Sequence, residues 1–267
     1  MPTYRLIIEY DGTKLSGWQV QARYRTVQGD LLKALRELLG DESVDLQGSG
    51  RTDAGVHALH QVASLRCRDA ADTRFVLRKL DELLPPDIAV LSIEPAPDSF
   101  HARHDAISRS YRYQLTQRRS AFGKRFSWWV PGRLDTRAMA SAAARFVGRI
   151  DFHAFCKHPE AASSTLVVVE ECAVVALTPF VLVRVRGSHF LWGQVRRMVG
   201  ALVHVGRTAS PPEQVDAWLR GDQPLPPAAP AAGLFLEDVR YPGETRKPPP
   251  LFPTAIPWTP PRGKVTS

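Results

Sequence analysis

The hydrophobic period of this chain switches back and forth between that of a strand and that of a helix, and this switching most narrows the folds open to it. Tyr4, Leu6, Ile8 and Tyr10 alternate with Arg5, Ile7 and Glu9, a strand that closes at the turn Asp11, Gly12, Thr13. Val27, Leu31, Leu35 and Leu38 then recur at helical spacing, and Gly40 supplies a stop. Residues 61–66 read as a second strand, 74–84 as a helix ending before Pro85 and Pro86, and 88–93 as a strand. Residues 110–116 alternate again, with Tyr111, Tyr113 and Leu115 on one face. Asp135 is placed to cap a helix that ends at Gly148.

The second half repeats the mixture. Residues 166–176 and 180–186 read as neighbouring strands about Thr178 and Pro179. Leu191, Val195, Met198, Val199, Leu202 and Val203 form one helical stripe that stops at Gly206. A shorter helix from near Ser210 to Gly221 and a strand from Gly233 complete the pattern, with a proline-rich linker over 223–232. Strands and helices mix without strict alternation, so the expected class is α+β, with a mixed, largely antiparallel central sheet and flanking helices. From Pro242 the tail is crowded with prolines, and 242–267 is expected to be disordered, with Arg and Lys available to phosphate.

At 267 residues and 44% hydrophobic content the chain can bury one large core or two joined halves. Its three cysteines, Cys67, Cys156 and Cys172, are scattered without a CxxC pair, which points to a reducing compartment and a cytoplasmic protein. The start, MPTYRLIIEYDGT, is too short in apolar length for a signal peptide, and no run approaches the ~18 apolar residues of a membrane helix. A formal charge of +8, carried mostly by arginine, favours an anionic partner: nucleic acid, a membrane surface or an acidic substrate.

The stretch GSGRTDAGVHALHQ, residues 48–61, sets a carboxylate, Asp53, on a glycine-rich turn with Arg51 two residues before it. It is not a phosphate loop, because no lysine follows Gly50. It is not a dinucleotide fingerprint, because an aspartate at position 53 repels pyrophosphate, and Ser49 lacks the glycines of a hydrolase elbow. The likeness to the D-T/S-G of aspartic proteases lacks a second copy. The pairs His57/His60 and His101/His104 have HxxH spacing, a weak metal signal without cysteines, and read more simply as solvated or core-edge histidines. Two readings of Asp53 stand. Arg51 holds it ionised as a nucleophile or general base, with glycines that admit a substrate backbone, or it merely caps its own turn.

GSGRTDAGVHA resembles the signature of the tRNA pseudouridine synthase A family, and six further blocks resemble that family in order: YDGTKLSGWQVQ with TVQGDLLKAL, SFHAR, SRSYRY, DFHAFC, HFLWGQVRRMVGALVHVG and APAAGLFLEDVRY. Together they span Thr3 to Tyr241. The resemblance implies two related α/β halves, 1–105 and 106–241, with a cleft between them, and isomerisation of uridine to pseudouridine at tRNA positions 38, 39 and 40 of the anticodon stem-loop. It implies no metal and no organic cofactor, tRNA as partner, no membrane, and a homodimer. By position it makes Asp53 the catalytic aspartate, Tyr111 the tyrosine that stacks on the target uracil, Arg51 the arginine that displaces the base, and Arg196 the partner of Asp53. Arg103, Arg109, Arg112, Lys124 and Arg125 are candidates for phosphate contact.

There are departures from the family pattern at Lys14, Leu15, Ile150, His189 and the run Trp192, Gly193, Gln194, none of which removes a proposed catalytic group. Two competing functions remain: an RNA-binding module without catalysis, and a metal hydrolase built on Asp53 and the HxxH histidines.

Overall fold

The computed structural model describes residues 1–208, 210–245 and 249–254. Ten strands form one open sheet in the order β4-β1-β3-β10-β5-β9-β8-β7, with β2 added beside β3 and β6 beside β5. The first half supplies β1 (Thr3–Tyr10), β2 (Asp45–Gly48), β3 (His57–Arg66) and β4 (Ile88–Ala96), with α1 (Val27–Leu39) and α2 (Thr73–Leu83). The second supplies β5 (Ser108–Thr116), β6 (Trp128–Trp129), β7 (Gly148–Asp151), β8 (Leu166–Leu177), β9 (Phe180–Gly187) and β10 (Leu234–Arg240). It also holds α3 (Thr136–Ala144), α4 (Gln194–Thr208) and α5 (Gln214–Arg220). Every pairing is antiparallel except β5 with β6 and β10 with β3. The α+β expectation with a mixed, mostly antiparallel sheet is therefore met. The β10–β3 pair, Phe235 opposite His57 and Leu236 opposite Ala58, is where strands of the two halves join into one sheet.

Local chemistry accounts for the helix ends. Thr26 accepts from the Gly29 N–H at the start of α1, and Asp72 and Asp135 each accept two N–H groups at the starts of α2 and α3. The buried stripe of α1, Val27, Leu31, Ala34 and Leu35, has the spacing that marks it as a helix face. Two expected stops fall elsewhere. Gly206 lies inside α4, which runs on to Thr208; a Cβ there would sit 2.7 Å from Met139 Cγ, so the glycine makes room for α3. Gly148 opens β7 instead of closing α3. The two- to four-residue strands β2, β6 and β7 are too short to show a period and were not expected.

Strand β5 is buried on both faces, so its alternation does not mark a solvent side. Tyr111, Tyr113 and Leu115 occupy one face; Ser110, Arg112 and Gln114 occupy the other. On that second face Glu237, whose side chain is wholly buried, lies between Arg184 (2.7 Å) and Arg112 (3.3 Å). Residues 249–254 pass over the same face. Arg112 donates to the Phe252 carbonyl, and the Gln114 amide exchanges two hydrogen bonds with the Thr254 backbone. The rest of the tail expected to be disordered, 246–248 and 255–267, lies outside the described residues. Among the described residues no helix is long and apolar enough to cross a membrane, and all three cysteines are buried and free.

Candidate active site

The loop that carries Asp53 joins β2 to β3 and is far from slack. The turn after β1 packs directly against it: Trp18 N–H donates to the Thr52 carbonyl (3.1 Å), and Gly55 N–H donates to the Leu15 carbonyl (3.2 Å). Gly48 lies so close to the Trp18 indole that a Cβ would come within 2.5 Å of it. Gly17, at φ 87°, lets the Thr52 carbonyl approach to a distance no side chain tolerates. Tyr10 Oη shares a 2.8 Å hydrogen bond with Thr52 Oγ1, and Ser49 Oγ donates to Gln61 Oε1 at 2.7 Å. The two sequence blocks YDGTKLSGW and GSGRTDAGVH are thus one packed unit, and the glycines serve protein packing.

Asp53 closes the turn with its backbone, its carbonyl accepting from Val56 N–H at 3.1 Å. Its side chain does something else: Oδ2 faces Arg196 Nη1 at 3.4 Å, both side chains a little over a quarter exposed. This removes the reading of Asp53 as a cap of its own turn. It also corrects the expectation that Arg51 supplies the cation. Arg51 is exposed and makes no ion pair among the described residues, whereas Arg196 arrives from α4, far away in sequence. Arg196 is aimed by a second bond, Nε to the Ala229 carbonyl at 2.8 Å, while Ala229 N–H donates back to the Arg196 carbonyl at 2.9 Å. The proline-rich run 223–232 thereby acts as a brace for the arginine.

Tyr111 lies in the same site. It is 9% exposed, its ring and that of Phe190 lie at 85° to each other with centroids 5.4 Å apart, and a Cβ on Gly50 would lie 3.9 Å from its hydroxyl. Burial, with a smaller push from Asp53, raises its pKa to about 12, Arg109 acting in the opposite sense. The phenol therefore stays protonated at neutral pH and presents a flat face and an O–H donor, not a phenolate.

The structure brings Asp53, Tyr111 and Arg196 together and leaves Arg51 free at the rim. It places the other arginines differently. Arg109 is 9% exposed and spends its guanidinium on the carbonyls of Ser49, Arg103, Ala106 and Ser188, so it braces the start of the loop that carries Asp53. Arg112 points to the opposite face, into the pair with Glu237. Arg103, Lys124 and Arg125 are exposed. Arg109 and Arg112 look the same in sequence as surface arginines, and only burial separates them.

Sequence reading missed the role of His57. Its ring is 1% exposed and stacks on Phe235 at 4.7 Å. Nε2 faces the carbonyls of Arg125 (2.9 Å) and Ala232 (3.2 Å), so Nε2 carries the proton, and Nδ1 accepts from Gly12 N–H at 3.0 Å. Four separated segments meet at this one imidazole, and it has no lone pair left for a metal. Among the described residues no group of three or more His, Cys, Asp or Glu is arranged to hold a metal ion. Burial lowers the His57 pKa, against the pull of Asp11, whose Oδ1 lies 3.2 Å from Nδ1. The unfolded chain therefore binds this proton more readily than the folded one. Stability from His57 is complete above about pH 6.5 and declines as pH falls below it, at no more than about 1.4 kcal/mol per pH unit for one proton. The expected result is a flatter melting-temperature profile between about pH 7 and pH 5 for His57→Gln than for the wild type. Parallel profiles would show that His57 is not the group that titrates.

A family model described as tRNA pseudouridine synthase matches residues 6–105 and 142–242. The matched segments contain Arg51, Asp53, Arg103 and Arg196, and the interval between them contains Arg109, Tyr111 and Arg112. A protein of Methylobacterium radiotolerans named tRNA pseudouridine synthase A is 43% identical over 250 residues, covering 90% of this chain and 98% of that protein. Proteins of the same name from Geobacter sp. strain M21 and Syntrophotalea carbinolica are 42% and 43% identical, with 91% and 90% of this chain covered and 100% and 97% of theirs.

Proposed function

Because the chain belongs to the tRNA pseudouridine synthase family, isomerases that convert uridine to pseudouridine in tRNA, we propose that it acts on uridines 38, 39 and 40 of the anticodon stem-loop, with Asp53 as the reacting carboxylate. The observation that carries the reading is the Asp53–Arg196 pair, part-exposed and near enough to buried Tyr111 for the Asp53 charge to act on its hydroxyl. A carboxylate kept ionised by a guanidinium, yet open to substrate, is equipped to attack the sugar or ring carbon as nucleophile or to remove a proton as base.

The remaining side chains take roles that fit their positions. A uridine inside a stem has to leave the stack before its C–N bond can be reached, at a cost of a few kcal/mol. Arg51, exposed at the rim of the loop, fills the vacated space and holds the extruded state. Tyr111 receives the uracil on its ring face, a contact worth about 1–3 kcal/mol, while its protonated hydroxyl serves the polar edge of the ring. The Ala229 carbonyl holds the Arg196 guanidinium in the direction of Asp53, so the charge pair is aimed before substrate arrives. Exposed Arg103, Lys124 and Arg125 grip phosphates, and their bonds position the arm without reading its sequence. The halves 1–105 and 106–241 close the cleft between them, the chain works as a homodimer, and its three free cysteines suit the cytoplasm.

The test is product mapping. tRNA transcripts that keep uridine only at positions 38, 39 or 40 of the anticodon arm are incubated with the protein, and pseudouridine is located by carbodiimide-dependent stops in reverse transcription. The expected result is stops at those three positions and loss of each when its uridine is replaced by cytidine. Modification confined to other arms of the tRNA would overturn the position assignment while leaving the family reading intact.

A further inference from the structure

The turn that leads into α4 carries a feature the reaction so far does not use. Trp192 is 52% exposed, an unusual place for an indole, and it sits two residues after Phe190 and four before Arg196. Phe190 touches Tyr111 and Arg196 holds Asp53, so the turn that bears Trp192 runs between two residues of the site. Consecutive Cα atoms are about 3.8 Å apart, which keeps the Trp192 Cα within about 8 Å of the Phe190 Cα.

The indole is held in place. Lys157 Nζ lies 4.8 Å from its ring centroid, and the His158 ring lies 4.7 Å away at a 41° tilt. The backbone under it is tied to the same segment, Lys157 N–H donating to the Trp192 carbonyl at 2.9 Å. Arg197, on the next turn, donates to the Ala154 carbonyl and adds a further cation to the neighbourhood. Glu160 faces His158 Nδ1 at 3.0 Å and engages the imidazole, while exposed Lys157 makes no ion pair among the described residues. An exposed indole with a long, flexible lysine over its ring has the chemistry to bind one nucleotide: the ammonium turns to the phosphate and yields the ring to the base.

We propose that Trp192 and Lys157 form a subsite for a nucleotide adjacent to the target uridine, Trp192 stacking on its base and Lys157 contacting its phosphate. The proposal rests on the tRNA reading above and extends it to a residue that touches the substrate without taking part in bond making. The subsite holds the chain next to the extruded base, and so favours substrates whose flanking base is unstacked or easily unstacked. His158, fixed by Glu160, sets the tilt of the indole and makes no contact with RNA.

The test is steady-state kinetics of Trp192→Ala, Trp192→Phe and Lys157→Ala on tRNA, paired with tRNAs that carry an abasic site immediately 5′ or 3′ of the target uridine. Loss of one base stack corresponds to about a 5- to 150-fold weakening. The expected result is a rise in KM of that order for Trp192→Ala with kcat changed less than about twofold, and recovery of most of the affinity in Trp192→Phe. One of the two abasic tRNAs penalises the wild type similarly and Trp192→Ala hardly at all, since both changes remove the same contact. An unchanged KM, or losses that simply add, would overturn the subsite. Unchanged KM together with a shift in oligomeric state on sedimentation would assign the indole to a contact between copies of the chain instead. If the wild type modifies no uridine at positions 38–40, the position assignment fails by that result alone, and the same variants on whichever tRNA it does modify still decide the subsite.

Discussion

Asparagine in place of Asp53 is expected to lower pseudouridine formation by about 10³-fold or more while leaving tRNA binding within about threefold of wild type. The exchange keeps the shape of the side chain. The amide oxygen still accepts from Arg196, and the turn survives because the Asp53 backbone carbonyl, not its carboxylate, holds the Val56 N–H. What is lost is the charge that attacks or deprotonates the substrate. Release of tritium from tRNA labelled at uracil C5 measures this directly, since the C5 hydrogen leaves only when a new carbon bond forms there. Release by the wild type and none by the variant, with equal filter-binding affinity, makes Asp53 the reacting group. Equal release from both would mean that the carboxylate is only a structural partner of Arg196. No release from either, with tight binding, would mean that this chain binds tRNA without carrying out the exchange at C5.

The largest expected effect on stability lies on the other face of β5. Glu237→Ala is expected to destabilise the fold by about 3–5 kcal/mol, the range for removing one partner from a buried ion pair. One carboxylate, with no exposed surface, is shared by two guanidinium groups that are themselves nearly buried: Arg184 binds it through Nε at 2.7 Å and Nη2 at 2.9 Å, and Arg112 Nε lies 3.3 Å away. Ser110 Oγ donates to it as well. Without Glu237 two cations are left in a low-dielectric setting with only backbone carbonyls for company. At about 2–4 °C per kcal/mol for a chain of this size, the melting temperature drops by about 10 °C. A triple variant, Arg112→Met, Arg184→Met and Glu237→Leu, separates this cause from loss of packing: removing all three charges restores most of the stability if the penalty is electrostatic. A drop of under about 2 °C for Glu237→Ala would mean that water reaches the guanidinium groups once the carboxylate is gone.

These two positions show why some of the site was visible in the linear chain and some was not. Asp53 stood out because a carboxylate in a block of glycines with an adjacent arginine is a local peculiarity, and the resemblance in order of seven blocks supplied its chemistry. Glu237 sits in a strand pattern, GLFLEDVRY, where it reads as one more outward polar residue. Nothing local says that its face of the sheet is covered, because its two arginines come from the neighbouring strands β5 and β9 and residues 249–254 pass over them. The same holds for Arg109 and Arg112, adjacent in kind and spacing to true surface arginines but nine-tenths or more buried.

The elements themselves were legible wherever they ran long enough to show a period. β1, α1, β5, β9 and α4 follow directly from alternation or from a helical stripe, and the caps of α1, α2 and α3 at Thr26, Asp72 and Asp135 act within three residues. Hydrophobic patterning, turn chemistry and prolines are short-range forces, so the chain by itself determined the fold class, the run of helices and strands, and the loop that bears the carboxylate. No local pattern says which cation meets that carboxylate: the resemblance named Arg196 by position, and only the tertiary structure brings it there. Charge attraction depends on distance in space, and the nearest cation in sequence, Arg51, is not the one that meets Asp53. Arg196 does so because α4 packs on α3 through the gap left at Gly206, and because Ala229 fixes the direction of its guanidinium.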